Sequence, residues 1–333
     1  MKNNFPESKI SSSSVISRED LADLVSMSRE LTVCEGSSPF SEQTLLSLHQ
    51  QLDQTDRAYR LVLARQRGQL LGAFVAFYPR GTEAGLIEGA LYPRWRGQGL
   101  GSQLLKQLVE QLRSQQAGRY GAWVHEVKGD QAQLINQRAT HLASKYGFSR
   151  VRELHKMQFC LTPERREKLL ATGRAQQAAA GLSLTTFTPG QDNASWLASN
   201  AAAFANHPEQ GGLTEADLQE RLNADWFDPQ GFFLLKDPSG QLAGYCWTKV
   251  VPQEPTLGEI YVVGVDPNWQ GQGLGRFLML TGMAHLASLE PAGEPLENML
   301  LYVDAENQAA FRLYTSLGWS SVTIDRMYKG VLD

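Results

Sequence analysis

The chain carries the same run of landmarks twice. YPRWRGQGLGSQLL from Tyr92 is matched by DPNWQGQGLGRFLM from Asp266, with Arg96 and Gln270 standing 174 positions apart. GQLLGAF from Gly68 is matched by GQLAGYC from Gly240 at a spacing of 172, and NQRATHLASKYGF from Asn136 by NQAAFRLYTSLGW from Asn307 at 171. Three landmarks in one order at nearly one offset define two copies of a single domain; a solenoid would show shorter periods and more copies. The length agrees, since 333 residues make about two domains. The copies are expected over 15–160 and 183–333. The segment between them, 161–182, is polar and Ala/Gln-rich (TPERREKLLATGRAQQAAAG, Thr162–Gly181) and reads as a partly helical linker. The Ser-rich stretch up to about residue 14 is expected to fray.

Each copy shows the same coarse pattern. An early helix (Arg18–Met27; Asn193–Phe204) precedes two strands joined by a turn (Arg60–Ala64 and Leu70–Phe77; Phe232–Leu235 and Leu242–Val250). A further strand (Leu86–Leu91; Glu259–Val265) runs into a Gly-rich turn and an amphipathic helix. In the second copy a strand (Met299–Val303), a helix (Asn307–Leu317) and a last strand from Trp319 complete the run. The pattern predicts an α/β (α+β) fold used twice, a mixed central sheet flanked by helices.

Composition narrows the partners. Hydrophobic residues at 42% and charged residues at 20% suit two buried cores. Thirty-one Lys and Arg against 35 Asp and Glu leave a net charge of −4, which argues against nucleic acid as a partner. Cys34, Cys160 and Cys246 are odd in number and far apart, so neither a disulfide framework nor a zinc site is expected, and a reducing cytoplasm suits them. The opening residues lack the apolar core of a secretory signal, and no run of ~18 apolar residues predicts a membrane span. A monomer working on a small molecule, without a metal, is the expectation.

The Gly-rich turn carries the chemistry. Arg96-Gly97-Gln98-Gly99-Leu100-Gly101 and Gln270-Gly271-Gln272-Gly273-Leu274-Gly275 each stand between an apolar strand and a helix. Glycines allow a tight turn with N–H groups facing outward, and the helix adds the positive end of its dipole, which together suit a pyrophosphate. The dinucleotide fingerprint GxGxxG is absent, and neither copy has the Gly-Lys-Ser/Thr of a P-loop.

These residues resemble the GNAT acyltransferase superfamily, marked by [Arg/Gln]-x-x-Gly-x-[Gly/Ala] after a splayed central strand. The family's later motif appears as Asn307-Gln-Ala-Ala310-Phe-Arg-Leu-Tyr314-Thr-Ser-Leu-Gly318-Trp319. The resemblance spans both halves and implies acetyl-CoA as co-substrate. In the second copy it would be held by Val263, Gly264 and Val265 beside the pantetheine arm, by Gln270, Gly271, Gln272, Gly273, Leu274, Gly275 and Arg276 at the turn, and by Asn307, Gln308, Ala309, Ala310, Phe311 and Arg312. The first copy offers Gly89, Ala90 and Leu91 with Gly97, Gln98, Gly99, Leu100, Gly101 and Ser102. The family often has Arg where Gln270, Gly271 and Gln272 stand, which leaves Arg276 or Arg312 to face the phosphates.

Longer segments resemble tandem-domain GNAT enzymes that acetylate the cysteinyl amine of a thiol glycoside, cysteinyl-glucosaminyl-inositol. They are AAFANHPEQGGLT (Ala202–Thr214), WFDP (Trp226–Pro229), WTKV (Trp247–Val250), LGEIYVVGVDP (Leu257–Pro267) and LYVDAENQAAFRLYTSLGW from Leu301. That resemblance implies acceptor contacts at Glu42, Glu209, Lys249, Glu259 and Tyr302. Read without it, Lys249 is a solvated strand end and Glu42 a first-turn helix residue behind Ser41.

Aminolysis of a thioester needs a neutral amine, donors for the oxyanion and a proton for the departing thiolate. Glu259 stands eight residues before Pro267, where the first copy has Gly85; Tyr314 stands seven after Asn307, where the first copy has Ala143. The second copy is therefore expected to catalyse, with Glu259 as general base through a water and Tyr314 as general acid. A backbone N–H near Val263, where the strand must bulge, would serve the oxyanion. The first copy is expected to bind CoA without catalysing. Cys246 is expected in the core and His207 to shape its loop. Two alternatives stay open: transfer to another small amine, such as an aminoglycoside or a peptide N-terminus, and a non-catalytic CoA-binding module.

Overall fold

The computed structural model describes residues 8–36, 38–51, 59–77, 84–115, 118–127, 132–175, 181–205, 210–251 and 254–333. It divides into two compact units. Unit 1 takes the chain up to residue 155 together with 304–306 and 323–333, and unit 2 takes 156–303 and 307–322. Strand β6 (Ser149–Cys160) straddles the division at residue 155 and β12 (Ser320–Leu332) that at 322.

In unit 1, α1 (Arg18–Glu35) starts at Ser17, whose side chain accepts from the Asp20 N–H, and stops at Gly36 with φ of 74°. It runs two turns beyond the expected Met27 because Leu24, Met27 and Leu31 keep one buried stripe. α2 (Glu42–Gln51) begins after Ser41, whose Oγ accepts from the Thr44 N–H at 3.2 Å. Strands β2 (Arg60–Gln66), β3 (Gln69–Phe77) and β4 (Ala84–Leu91) pair antiparallel in that order. β4 pairs in parallel with β5 (Gly118–Val124) after the crossover α3 (Leu100–Gln115). α4 (Ala132–Lys145) follows, and Arg326–Leu332 of β12 pair antiparallel with β5. The Ser-rich start does not fray over its second half. Ser8–Ser13 form β1, antiparallel to β2 from Ser8↔Gln66 to Ser13↔Leu61. Backbone pairing needs no apolar side chains, and Ile10 alone packs on the core.

Unit 2 repeats the plan with β7 (Ser183–Thr186), α6 (Asn193–Ala203), α7 (Glu215–Leu222), β8 (Phe232–Lys236), β9 (Leu242–Val250), β10 (Leu257–Val265), α8 (Leu274–Ser288), β11 (Asn298–Asp304) and α9 (Gln308–Ser316). β7 to β10 are antiparallel neighbours and β10–β11 is parallel. α7 carries a capping box in which Thr214 and Asp217 satisfy each other's backbone N–H groups. The segment expected as a linker holds α5 (Pro163–Ala175). Its Leu169 lies in the same core as Met283 and Leu286 of α8, and the Arg166 guanidinium donates to the Ala287 and Leu296 carbonyls. The contacts therefore place this helix inside unit 2.

In each unit the strands are covered on both faces. In unit 1, α3 lays Leu104 and Leu108 over Val62 and Ile87, and the opposite face buries Leu24, Leu31, Leu61, Val75 and Phe77. In unit 2, Leu278 and Met283 cover Cys246, Ile260 and Met299. The other face of unit 2 is aromatic: Trp247 stacks on Phe232 at 4.3 Å and Trp196 meets both edge-on at 5.7 and 5.5 Å. Among the described residues no helix is long and apolar enough to cross a membrane.

Candidate functional site

The glycine turns adopt the geometry that glycine alone reaches without strain. Gly271 and Gly273 have φ of 77° and 79°, and Gly97 and Gly99 have 73° and 90°. Gly273 is the N-cap of α8 and supplies no side-chain acceptor, so the first turn of that helix presents its N–H groups to whatever lies above it. The leading Arg or Gln braces the turn. Arg96 Nε donates to the Leu91 carbonyl at 2.8 Å, and Gln270 Nε2 donates to the equivalent Val265 carbonyl at 3.4 Å. The Arg96 guanidinium also forms a bidentate pair with Glu35. Its task is to tie the turn to the end of its strand.

The central strand of unit 2 is bulged. Glu259 faces Lys249 and Ile260 faces Thr248, but the next pair is Val262 with Trp247, so Tyr261 is an extra residue. The expected distortion thus falls two residues before Val263. The parallel ladder to β11 covers only Leu257–Glu259 against Asn298–Leu300. Beyond it, Val263, Gly264 and Val265 line a cavity of about 360 Å³ together with Gln270, Gly271, Gly273, Leu274, Gly275, Asn307, Ala309, Ala310 and Tyr314. Trp269, Met279 and Leu313 complete the wall and were not indicated by the motifs. Gln272, Arg276, Gln308, Phe311 and Arg312 are not part of it. Arg312 is exposed, and the exposed Arg276 reaches Ser316 Oγ at 3.4 Å. Asn307 has a structural duty as well, its Oδ1 capping α9 at the Ala310 N–H.

Tyr314 is buried in this wall, 7% exposed. Burial, with a smaller contribution from Cys246, holds its phenol above the usual range. Cys246 is fully buried in the core, as expected, and its thiol is pushed up to about 12 by burial. Glu259, on β10, is 8% exposed, and its Oε2 lies 3.4 Å from the Lys249 ammonium. That ammonium sits over the Tyr261 ring at 4.3 Å and the Trp226 ring at 4.8 Å. The Tyr261 hydroxyl accepts from Arg221 Nε at 2.9 Å, and Arg221 Nη1 donates to the Asp217 carbonyl at 2.6 Å. Lys249 is therefore a buried cation walled by aromatics and paired with the candidate base; the solvated strand end that its residue type alone suggests is not what the chain builds. The bulge brings Tyr261 into that wall, which no sequence pattern announced. Tyr302 lies exposed on β11. Glu42 is the first residue of α2, with its side chain outside the described residues, as are Glu209 and His207.

In unit 1 a cavity of about 630 Å³ is lined by Gly89, Ala90, Leu91, Gly97, Gly99, Gly101 and Ser102. Gln98 instead donates to the Arg94 carbonyl, and Leu100 is buried in the core. Ala143 lines this cavity at the position where Tyr314 lines the other. The comparison of strands needs one correction. Leu91 pairs with Gly72 and Leu86 with Phe77, as Val265 pairs with Gly244 and Glu259 with Lys249. The bulge in β10 shifts the count by one, so Leu86, not Gly85, occupies the place of Glu259. Unit 1 does have a buried carboxylate on that strand, Glu88, two residues further on.

Comparison with known proteins agrees with this geometry. The model of the acetyltransferase (GNAT) family matches residues 24–148 and again 200–319. The mycothiol acetyltransferase of Rothia mucilaginosa is 43% identical over 94% of this chain and 90% of its own length. Those of Paenarthrobacter aurescens and Thermobifida fusca are 37% and 38% identical, over 93% and 96% of this chain and 92% and 98% of theirs. Among solved structures, a tandem GNAT protein from the clavulanic acid biosynthesis pathway superposes with a TM-score of 0.73 at 16% identity, covering 98% of this chain and 99% of that one. A fold used twice, a glycine turn in each copy and this degree of identity along nearly the whole sequence lead to one assignment: the chain belongs to the mycothiol acetyltransferases of the GNAT acetyltransferase family.

Proposed function

We propose that this chain transfers the acetyl group of acetyl-CoA to the cysteinyl amine of cysteinyl-glucosaminyl-inositol, giving mycothiol and CoA, and that unit 2 performs the transfer. The observation that carries the reading is the pairing, in unit 2 alone, of a buried strand carboxylate beside a bulge with a buried phenol lining the glycine-turn cavity. Acetyl-CoA suits the residues present. The turn offers backbone N–H groups at an uncapped helix start, and Val263–Val265 lie beyond the end of the β11 ladder, where an extended pantetheine arm can pair. When bound, acetyl-CoA supplies the activated acyl group.

The chain's own residues do the rest. Glu259 accepts the proton of the acceptor ammonium through a water. A backbone N–H beside the bulge polarises the thioester carbonyl. Tyr314 donates its hydroxyl proton to the departing sulfur; its raised affinity for that proton keeps it protonated until a thiolate is present. Lys249 holds Glu259 in place and, with Glu42, Glu209 and Tyr302, offers charged and hydroxyl groups to a hydroxyl-rich acceptor. The test is incubation of the purified protein with acetyl-CoA and cysteinyl-glucosaminyl-inositol. The product should gain one acetyl group and keep a maleimide-reactive thiol. A product with a blocked thiol, or no product, contradicts the proposal.

A further inference from the structure

The bulge in β10 gives unit 2 a residue that unit 1 does not have. β4 pairs with β3 in unbroken register from Leu86↔Phe77 to Leu91↔Gly72, whereas β10 passes from Ile260↔Thr248 to Val262↔Trp247 and leaves Tyr261 over. Consecutive side chains of a regular strand point to opposite faces. Here Ile260 joins the core that contains α8, while Tyr261 and Val262 both pack in the aromatic core on the other face. Tyr261 thus comes down beside the Glu259–Lys249 pair, whose place in unit 1 is taken by the apolar pair Leu86 and Phe77. Carboxylate, ammonium and extra tyrosine therefore occur together, and in the unit proposed to perform the transfer.

The tyrosine is held at both ends. Its backbone is fixed by the ladder on either side of the bulge, and its hydroxyl accepts from Arg221 Nε at 2.9 Å. The buried Arg221 is itself tied to α7, its Nη1 donating to the Asp217 carbonyl at 2.6 Å. Asp217 also closes the capping box that starts that helix. The ring so anchored presents a face to the Lys249 ammonium at 4.3 Å. Trp226 gives a second face at 4.8 Å and packs on Tyr261 at 5.1 Å. Ring faces stabilise a desolvated ammonium. The ammonium in turn favours the ionised form of the carboxylate 3.4 Å away, the form that can accept a proton. Of the other elements beside Glu259, β11 carries Tyr302 and α6 carries no ionisable side chain.

We propose that Tyr261 and Arg221 are positioning residues for the base. The Arg221–hydroxyl bond sets the Tyr261 ring, the ring sets the Lys249 ammonium, and the ammonium keeps Glu259 ionised and ready for a proton. The proposal rests on the reading of Glu259 as the general base. It accounts for a tyrosine at the bulge: a phenylalanine would offer Lys249 the same ring face, and the hydroxyl adds the tether to α7 that fixes where the face points. No proton passes through Tyr261; the acceptor's proton reaches Glu259 through water.

The full chain is tested as Tyr261→Phe, Tyr261→Leu and Arg221→Met, with Phe187→Leu as a control that loosens the same aromatic core through Phe232. The kcat is measured against pH at saturating acetyl-CoA and cysteinyl-glucosaminyl-inositol. Tyr261→Leu should lower kcat about tenfold on the acid side of the profile, where the carboxylate takes up a proton, and much less on the alkaline plateau. Tyr261→Phe and Arg221→Met break the same bond. Each should give the same smaller acid-side loss, about threefold, and the double variant no more than either. The KM for acetyl-CoA should not change. A second readout needs no turnover. In protein labelled with ¹³C at the glutamate carboxyls, the signal missing from Glu259→Gln should titrate at higher pH in Tyr261→Leu than in wild type. Tyr261→Phe carries both readouts if Tyr261→Leu does not fold. A loss that is even at all pH values, or an equal acid-side loss in Phe187→Leu, assigns Tyr261 to packing and overturns the proposal. An effect of Arg221→Met that Tyr261→Phe lacks overturns the hydroxyl bond as the link. Normal turnover in Glu259→Gln removes the base reading and this proposal with it. A disabled Glu259→Gln beside an unmoved profile and carboxyl signal in the Tyr261 variants overturns the positioning role alone.

Discussion

Glu259 and Lys249 face each other across β10 and β9, and each is nearly out of solvent. Neither can be removed alone without leaving a buried charge. Lys249→Met is therefore expected to lower stability by about 3 kcal/mol in a denaturant titration, and adding Glu259→Gln should recover part of it. On activity, Glu259→Gln should lower kcat roughly 10²–10⁴-fold, and Tyr314→Phe should slow the reaction with little change in the KM for acetyl-CoA. Steady-state kinetics with each substrate varied in turn read both; near-normal turnover in the two variants would return these residues to packing. Glu259 and Tyr314 stand out as candidates because the chain supplies its own control: at the positions matched to them the other copy has no ionisable side chain. The group that Glu88, Ser41, His125 and Asp325 form in unit 1 was not legible. Its members come from distant parts of the sequence, and only the fold brings them together. That group also gives a pH prediction. Burial opposes a charge on His125, but the Asp325 and Glu88 carboxylates outweigh it. His125 has its proton affinity raised on folding, from 6.5 to about 10, so its contribution to stability is complete below about pH 6.5 and is lost as the pH climbs through 10. The stability gap between the wild type and His125→Gln should narrow between pH 7 and 10 in thermal melts; a constant gap would mean that the ring is neutral throughout.

Among the elements, the strand–turn–helix of each copy was the easiest to read and the easiest to test. A Cβ at Gly273 would meet nothing within 4 Å, so the cost of Gly273→Ala comes from its φ of +79°. That cost is about 1–2 kcal/mol, seen as a lower unfolding midpoint together with weaker acetyl-CoA binding. Gly275 has ordinary backbone angles, and its Cβ would touch Leu313 at 3.5 Å, an ordinary contact. Gly275→Ala should therefore keep the stability and still weaken acetyl-CoA by narrowing the cavity wall. Equal losses of stability in the two variants would contradict this division. Strand positions were legible from apolar runs between turn residues. The β10 bulge was not, because Tyr261 reads as one more residue of a continuous apolar strand, and its displacement shows only against β9. β1 was missed for the opposite reason: it is a Ser-rich edge strand held by backbone bonds, with Ile10 its one side chain on the core.

For the molecule as a whole, duplication explains most of what the sequence revealed. It set the fold class and the number of glycine turns. It did not reveal how the chain is shared out, because which unit a strand joins is decided by pairing, and Arg326–Leu332 pair with β5 of unit 1. Two intact turns predict two CoA molecules per chain by calorimetric titration, one of them unaffected by Gly273→Ala; a stoichiometry of one would leave the unit 1 turn as a structural relic. The most direct measurement joins the proposed substrate to the proposed site. Wild-type protein and Glu259→Gln are each given acetyl-CoA and cysteinyl-glucosaminyl-inositol, and the product is followed by mass spectrometry with maleimide labelling of its thiol. Unit 2 as the catalytic centre predicts an N-acetylated product with a free thiol from the wild type and a rate lower by roughly 10²–10⁴-fold from the variant. Equal rates from the two proteins, or no acetylated product from either, would contradict it.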